Sequence, residues 1–454
     1  MSTRFVPIER DTPLLFPLDL RDWVEPDDPV HFVISLVNLM PSGAFKINER
    51  GSGSRQYPPS MMLALLIYCY SEGIFSSRAI EKATFRHVSV RYLTADTHPD
   101  HDTIASFRST NREAITRCFV HALVFAKESG LLKLGAISVD GTLIRANANK
   151  GRNIRYDELD ECTAYLRGQV EQLLKAAEAA DAEDDDSDRL PPELQNRKAL
   201  EEKLREARER IEERERARRE NEQASVRRSK GKAPKTPEER AASWSKPITP
   251  RPKACANRTD MDSRLMRGSK GQYDQCYNAQ AVADADGSQL ILAARVPDAV
   301  VDQFELEPDV ESVPSELGPW DTVLADRGFA NIEQVERLEA QGKDVYVSVR
   351  APHISRGSYL PVALNPKPPS TLAQCEFGQR MIAKLSTPEG KALYKRRRQS
   401  VESCFGIIKH VLGFRQFLLR GLEKVDLEWK LVTLAYNVKM IGTALKRKGL
   451  PQPA

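Results

Sequence analysis

A charged segment, residues 151–250, separates two parts of the chain that both carry β-strand patterns. The stretch LGAISVDGTLIRANA, residues 134–148, precedes this segment, and strand patterns resume at residue 255. In the first stretch Ile137 and Val139 alternate with polar neighbours, which is typical of a half-buried strand and is interpreted as a pair of strands. We therefore expect a single core that the charged segment interrupts.

The part after residue 255 alternates strand and helix patterns. QCYNAQAVADADGSQLILAARV predicts a hairpin turning near residues 284–287, and WDTVLADRGF predicts a short strand ending at Asp326. NIEQVERLEAQG predicts a helix, KDVYVSVR a strand, and residues 351–385 an irregular segment. One continuous helix is expected from about Pro388 to Leu412, followed by the apolar helix EWKLVTLAYNVKMIGTAL. Alternating strands and helices predict an α/β fold with a helix-covered sheet.

The remaining segments are expected to be helical. Residues 151–220 carry two narrow apolar seams, which predict a coiled-coil-like helical hairpin followed by a low-complexity linker. The seam residues are Leu159, Cys162, Leu166, Gln169 and Leu173 in one helix, and Leu200, Leu204, Ala207 and Ile211 in the other. Helices with tight breaks between them predict an all-α N-terminal domain, and one single helix is expected to run from its cap at Asp102 to near Gly130. We therefore divide the chain into a helical N-terminal, DNA-binding domain (1–130), the first strands of the core (131–150), the charged helical insertion with its linker (151–255), and the rest of the core with the basic C-terminal helices (256–454).

Charge and cysteine usage restrict the class of protein. Residues 386–454 hold 14 Lys or Arg and 5 Asp or Glu, whereas the whole chain carries a net charge of +4. Such a basic block points to a polyanion such as nucleic acid, although a solubilising surface remains an alternative. The seven cysteines form no C-x-x-C pair, which predicts reduced thiols. With no apolar run of 18 residues, we expect a cytoplasmic protein without a membrane partner.

Three carboxylates stand out by their positions. Asp140 lies within an apolar strand, Asp326 ends another, and Glu402 is the single acidic residue of the basic stretch 390–422. A buried carboxylate is costly unless a partner neutralises it. Converging carboxylates suit Mg²⁺, and two such ions can promote in-line displacement at a phosphodiester. A strand-end Asp that only caps a helix, and an ordinary Arg–Glu surface pair, are the alternatives for each residue alone.

The basic neighbours of Glu402 are candidates for binding DNA phosphates. On a continuous helix, Tyr394, Arg398, Glu402 and Lys409 would lie near one face. Glu402 would then reach a metal ion, with Arg398 and Lys409 directed toward phosphates. The adjacent residues Arg396 and Arg397 complete the predicted DNA-binding set.

These motifs resemble those of the DDE transposases of bacterial insertion sequences. DGTLIRANANK is similar to the first-aspartate strand, and VLADRGF to the second-aspartate motif. TPEGKALYKRRRQSVESCFGIIKHVLGFRQFLLRGLEKV resembles the glutamate helix with its Tyr, Arg, Glu and Lys signature. Tyr394 and Arg398 are separated by three residues, where two is the common form. Residues 58–108 resemble the helical domain that precedes the catalytic core in that family.

The resemblance implies an RNase H-like fold in which Asp140, Asp326 and Glu402 bind two Mg²⁺ or Mn²⁺ ions. It implies hydrolysis and strand transfer at terminal inverted repeats of double-stranded DNA, carried out by a homodimer associated with the bacterial nucleoid. Three alternatives remain from the sequence: a nuclease that cuts without joining, a catalytically decayed DNA-binding copy, and a coiled-coil scaffold.

Overall fold

The structure is a computed structural model that describes most of the chain. The described residues are 19–47, 56–181, 192–229, 235–245, 249–268, 271–349 and 371–450. The start of the chain, the acidic break at 182–191 and the Pro-containing segment 350–370 lie outside these residues.

Six helices form the N-terminal region, which confirms that this part of the chain is helical. They are α1 Pro29–Asn38, α2 Pro59–Ser71, α3 Ser77–Arg86, α4 Val88–Leu93, α5 His101–Thr110 and α6 Arg112–Glu128. The expected single helix starting at Asp102 is wrong. Asp100 caps α5 by accepting from the amide of Thr103 at 2.7 Å, and Asn111 separates α5 from α6. The Asn111 side chain bonds back to the Phe107 carbonyl, and such local bonding competes with helix continuation.

A mixed six-stranded sheet forms the centre of the molecule, confirming the α/β class. The strands of the described residues are β1 Ala136–Arg145, β2 Asn153–Arg155, β3 Cys255–Asn257, β4 Arg264–Arg267, β5 Tyr273–Asp284, β6 Ile291–Arg295, β7 Thr322–Ala325 and β8 Asp344–Val347. The sheet order is β4-β5-β1-β7-β8, with β6 also paired to β5, while β2 and β3 form a separate ribbon. β1 runs antiparallel to β5 and parallel to β7.

The strand pair expected in residues 134–148 is wrong, because this stretch is the single ten-residue strand β1. Both neighbours of β1, the strands β5 and β7, come from beyond the charged segment. The sheet therefore closes across the insertion, as the interrupted pattern predicts. The β5–β6 hairpin is also confirmed.

The insertion contains the two predicted helices, α7 Leu159–Asp181 and α8 Pro192–Ser229, followed by α9 Pro237–Trp244. The seams meet in a small hydrophobic cluster that is separate from the main core and includes Leu166, Leu204 and Ile211. Ile154 of β2 and Ala256 of β3 join the same cluster, so the ribbon forms the base of the hairpin. The helix α9 lies within the segment expected to be a linker, whose residues 230–234 and 246–248 are outside the described residues.

The C-terminal part covers the sheet with helices. They are α10 Leu306–Glu311, α11 Ile332–Ala340, α12 Thr371–Gln374, α13 Glu376–Ser386, α14 Pro388–Gln399, α15 Val401–Gly406 and α16 Leu422–Lys448, with a π-helical turn at Ile407–Val411. The irregular structure expected up to residue 385 is wrong for residues 371–385, which are mainly helical. The expected continuous helix from Pro388 to Leu412 is also wrong, since it breaks at Ser400.

One hydrophobic core joins the N-terminal helices, the sheet and α16. The fully buried indole of Trp429 in α16 donates to the carbonyl of Gln280 in β5 at 2.8 Å. Helices α2 and α6 pack against α16 on its other side. Close packing of α16 against the sheet restricts the movement of the strands, and therefore of the polar side chains that they carry.

Candidate active site

Asp140 and Asp326 lie side by side on neighbouring strands. Val139 of β1 is in register with Ala325 of the parallel strand β7, and each aspartate is the next residue along its chain. Neighbouring strands are about 4.8 Å apart, so the two aspartates are neighbours across the β1–β7 pair. The two aspartates therefore belong to adjacent strands of the sheet.

Burial makes both carboxylates costly to ionise. Burial raises the pKa of Asp140 to about 7, with Arg397 opposing the shift and the charge of Asp326 adding to it. Burial also raises the pKa of Asp326, opposed by the Gly328 amide and Arg397. The Gly328 amide donates to Asp326 at 2.7 Å, and the Gly141 amide donates to Asp140 at 2.9 Å. Two like charges in this position call for a cation.

Arg397 of α14 supplies a positive charge between Asp140 and Glu402. Its Nη1 lies 3.1 Å from Oδ2 of Asp140, and its Nη2 lies 2.6 Å from Oε1 of Glu402. The side chains of Arg397 and Asp140 are 12% and 17% exposed, whereas that of Glu402 is 43% exposed. Glu402 therefore faces Asp140 across the guanidinium and from the solvent side.

The break at Ser400 changes which arginine lies on the same side as Glu402: it is Arg397, and not Arg398 as a continuous helix predicts. Ser400 has φ −100° and ψ −99°, outside the helical region, and its hydroxyl donates to the Arg397 carbonyl at 3.1 Å. The arrangement on one face assumed a continuous helix, so it is wrong for Arg398. The interval from Tyr394 to Arg397 is two residues, which is the common form of the signature.

The other predicted residues bind within the protein. The Tyr394 hydroxyl donates to the carbonyl of Ala325 at 3.1 Å, directly before Asp326. Lys409 donates to the hydroxyl of Thr142 and to the carbonyl of Leu143 in β1, at 2.5 and 2.9 Å. Both side chains therefore support the backbone next to the aspartates, Tyr394 directly before Asp326 and Lys409 two and three residues after Asp140.

Arg396 and Arg398 lie outside this cluster. Arg396 pairs at 2.7 Å with Asp286, in the turn between β5 and β6. Arg398 lines a groove of about 410 Å³ together with Lys391, Lys395 and Tyr394. These three cations have no ion pair among the described residues.

A fourth carboxylate, Asp302, stands beside the aspartate pair and was missed by sequence reasoning. The side-chain amides of Asn278 and Gln280 in β5 both donate to its Oδ1, at 2.7 and 2.6 Å. Its Oδ2 lies near Gly328. In the sequence, Asp302 is the second residue of VDQFELEPDVESV. This stretch predicts a helix and gives no sign that Asp302 lies close to Asp326.

The donors fit a hard divalent cation in kind, because they are all carboxylate oxygens. Among the described residues, however, no group of three potential ligands is close enough to share an ion. The Arg397 guanidinium occupies the space between Asp140 and Glu402. Glu402 can thus join the aspartates around a cation only when this side chain moves away.

Two family models match the chain. Residues 18–110 match the Transposase domain (DUF772), and residues 253–438 match the Transposase DDE domain. The second match begins after the insertion and omits Asp140, which β1 brings beside Asp326. Comparison with curated proteins and with solved structures gives no match. Both matches are to transposase domains, which confirms the resemblance found in the sequence.

Proposed function

We propose that the protein moves an insertion sequence by phosphodiester hydrolysis and strand transfer at its terminal inverted repeats. The observation that carries this proposal is that Asp140, in the middle of β1, lies beside Asp326, directly after β7, while Glu402 faces Asp140 across Arg397. The mixed sheet covered by helices supports an RNase H-like core around that site.

Asp140, Asp326 and Glu402 would hold the Mg²⁺ or Mn²⁺ ions that such chemistry requires. Two bound ions would activate the attacking oxygen and stabilise the leaving oxygen of the phosphodiester. Arg397 pairs with two of these carboxylates, Asp140 and Glu402. A cation held there would replace the guanidinium, for which a neighbouring DNA phosphate would be a suitable bidentate acceptor. Tyr394 holds the backbone before Asp326 in place.

Double-stranded DNA would lie along α14 and the basic C-terminal region. The exposed cations Lys391, Lys395 and Arg398 offer charges that are not neutralised by described residues. Lys409 is a weaker candidate for direct contact, because its ammonium is already bound to β1. Two element ends must be joined in one reaction, so we propose that the protein acts as a homodimer on DNA. No helix within the described ranges is long and apolar enough to cross a membrane.

The test uses purified full-length protein and DNA fragments ending in the inverted repeats that flank its reading frame. With Mg²⁺ or Mn²⁺ we expect cleavage at the repeat ends, followed by joining of the freed 3′ ends to a target plasmid. Chelation by EDTA should stop both steps. Cleavage without joining would instead identify a nuclease, and metal-independent products or no cleavage at all would refute the proposal.

A further inference from the structure

Asp302 occupies the space between the backbone segments that follow the two paired aspartates. Gly141 comes directly after Asp140, and Gly328 lies two residues after Asp326. A Cβ placed at Gly141 would lie 2.6 Å from Oδ1 of Asp302, and one placed at Gly328 would lie 3.1 Å from its Oδ2. Both distances are shorter than an ordinary Cβ contact, so a side chain at either position would collide with Asp302. The carboxylate is thus a wedge that fills the space the two glycines leave free.

The wedge is itself anchored to the sheet. Asn278 and Gln280 are 3% and 0% exposed, and their side-chain amides both donate to the same Asp302 oxygen. They project from β5, which is paired with β1 at Asn278↔Leu143 and Gln280↔Gly141. Two donors on a buried strand leave Oδ1 little freedom to move, and the other oxygen is directed toward Gly328.

The second oxygen shares its space with Asp326. The position that a Cβ would take at Gly328 is 2.9 Å from Oδ1 of Asp326 and 3.1 Å from Oδ2 of Asp302. The amide of Gly328 holds that same Asp326 oxygen. A shift of Asp302 would therefore displace the turn that orients Asp326, and through Gly141 the strand that carries Asp140.

We infer that Asp302 is a positioning residue that fixes the separation of the Asp140 and Asp326 carboxylates and so sets the affinity of this pair for a divalent cation. This inference rests on the proposed function of the aspartate pair. Asp302 acts through the two glycine segments, without itself being required as a ligand. Groups that orient the ligands of a metal typically contribute roughly 10–100-fold to its affinity.

The test measures Mn²⁺ binding by isothermal titration calorimetry, with full-length protein and no DNA. Asp302→Ala removes both the wedge and the acceptor of the two amides, and we expect it to weaken Mn²⁺ binding by about 10-fold or more. Asp302→Asn keeps the volume and one oxygen acceptor, so it should restore the dissociation constant to within about threefold of the wild-type value. Asp321→Ala is the matched control, since it removes an exposed carboxylate before the opposite end of β7.

Thermal unfolding of the same variants separates positioning from loss of fold, because the melting temperature of Asp302→Asn should match that of the control. Wild-type affinity in Asp302→Ala would overturn the inference, and so would equal weakening in the Ala and Asn variants, which would assign the effect to charge. Wild-type protein that binds Mn²⁺ but cleaves no DNA would refute the proposed function while leaving this inference standing. Wild-type protein that binds no Mn²⁺ would overturn both.

Discussion

Replacing Arg397 by Ala should destabilise the protein, and by an amount that depends on pH. The substitution removes a guanidinium that is 12% exposed and pairs with Asp140 at 3.1 Å and with Glu402 at 2.6 Å. Removing one partner of a buried ion pair costs roughly 3–5 kcal/mol, whereas a pair with an exposed group contributes about 0–1 kcal/mol. Because Glu402 is 43% exposed, we expect a loss of about 2–4 kcal/mol near pH 8.

The pH dependence follows from the protonation of Asp140. Burial raises the pKa of Asp140 to about 7 even though Arg397 opposes the shift. Removing the Arg397 guanidinium therefore raises the pKa of Asp140 further. The native variant then binds more protons around neutral pH than the wild type does, and its stability falls more steeply as pH increases. At pH 5.5 Asp140 is mostly protonated in both proteins. The difference in stability should therefore be smaller at pH 5.5 than at pH 8.5.

The assay is thermal unfolding at the two pH values, with Arg398→Ala as the matched control. For a cooperative unit of 150–250 residues, each kcal/mol shifts the melting temperature by about 2–4 °C, so Arg397→Ala should lower it by roughly 4–16 °C at pH 8.5. Arg398 is exposed and unpaired among the described residues, and its removal should change stability by less than about 0.5 kcal/mol. An equal loss in the two variants, or a loss independent of pH, would refute the assignment of Arg397 to the carboxylate cluster.

Three further outcomes are expected. Burial raises the pKa of Glu428 from 4.5 to about 7, so stability should decline as pH rises through 7, and Glu428→Gln should flatten that decline in melting curves at pH 6 and 8.5; an unchanged slope would contradict it. Replacing both Lys395 and Arg398 by Ala should weaken DNA binding and reduce the slope of log K against log salt by about 1–2 units. Replacing Arg396, which is paired with Asp286, should leave the slope unchanged. An unchanged slope in the double variant would exclude the groove beside α14 as a DNA-binding surface. Replacing residues 156–254 by Asn-Gly should leave a cooperatively folding core. Arg155 and Cys255 are already paired across the β2–β3 ribbon, so a two-residue turn can join them, and the helical hairpin has a hydrophobic cluster of its own. Loss of the thermal transition would show that the core needs the insertion.

Asp140 within β1 and Asp326 at the end of β7 could be singled out in the sequence because their signal is local. A polar residue that follows an apolar run, as Asp326 follows Val323–Ala325, marks a strand end without knowledge of the rest of the fold. The interrupted core could be predicted for a similar reason, because the composition changes sharply at the insertion. The adjacency of Asp140 and Asp326 then follows from the parallel pairing of β1 with β7.

The side chains that complete the site depend on tertiary detail that a local pattern does not carry. The break at Ser400 replaces Arg398 by Arg397, and a helical sequence pattern gives no warning of it. The position of Asp302 depends on two amides of β5 that lie more than twenty residues before it in the chain. Its role is visible only when the two glycines are seen on either side of it.

We propose that Asp140 and Asp326 hold the cation needed for DNA cleavage, and Asp326→Asn tests this most directly. The measurement is Mn²⁺-dependent cleavage of a fragment carrying one inverted repeat, together with binding of the same fragment in EDTA. We predict that Asp326→Asn abolishes cleavage and retains DNA binding, while Asp321→Asn, at the other end of β7, behaves as wild type. Cleavage by Asp326→Asn at the wild-type rate would contradict the account.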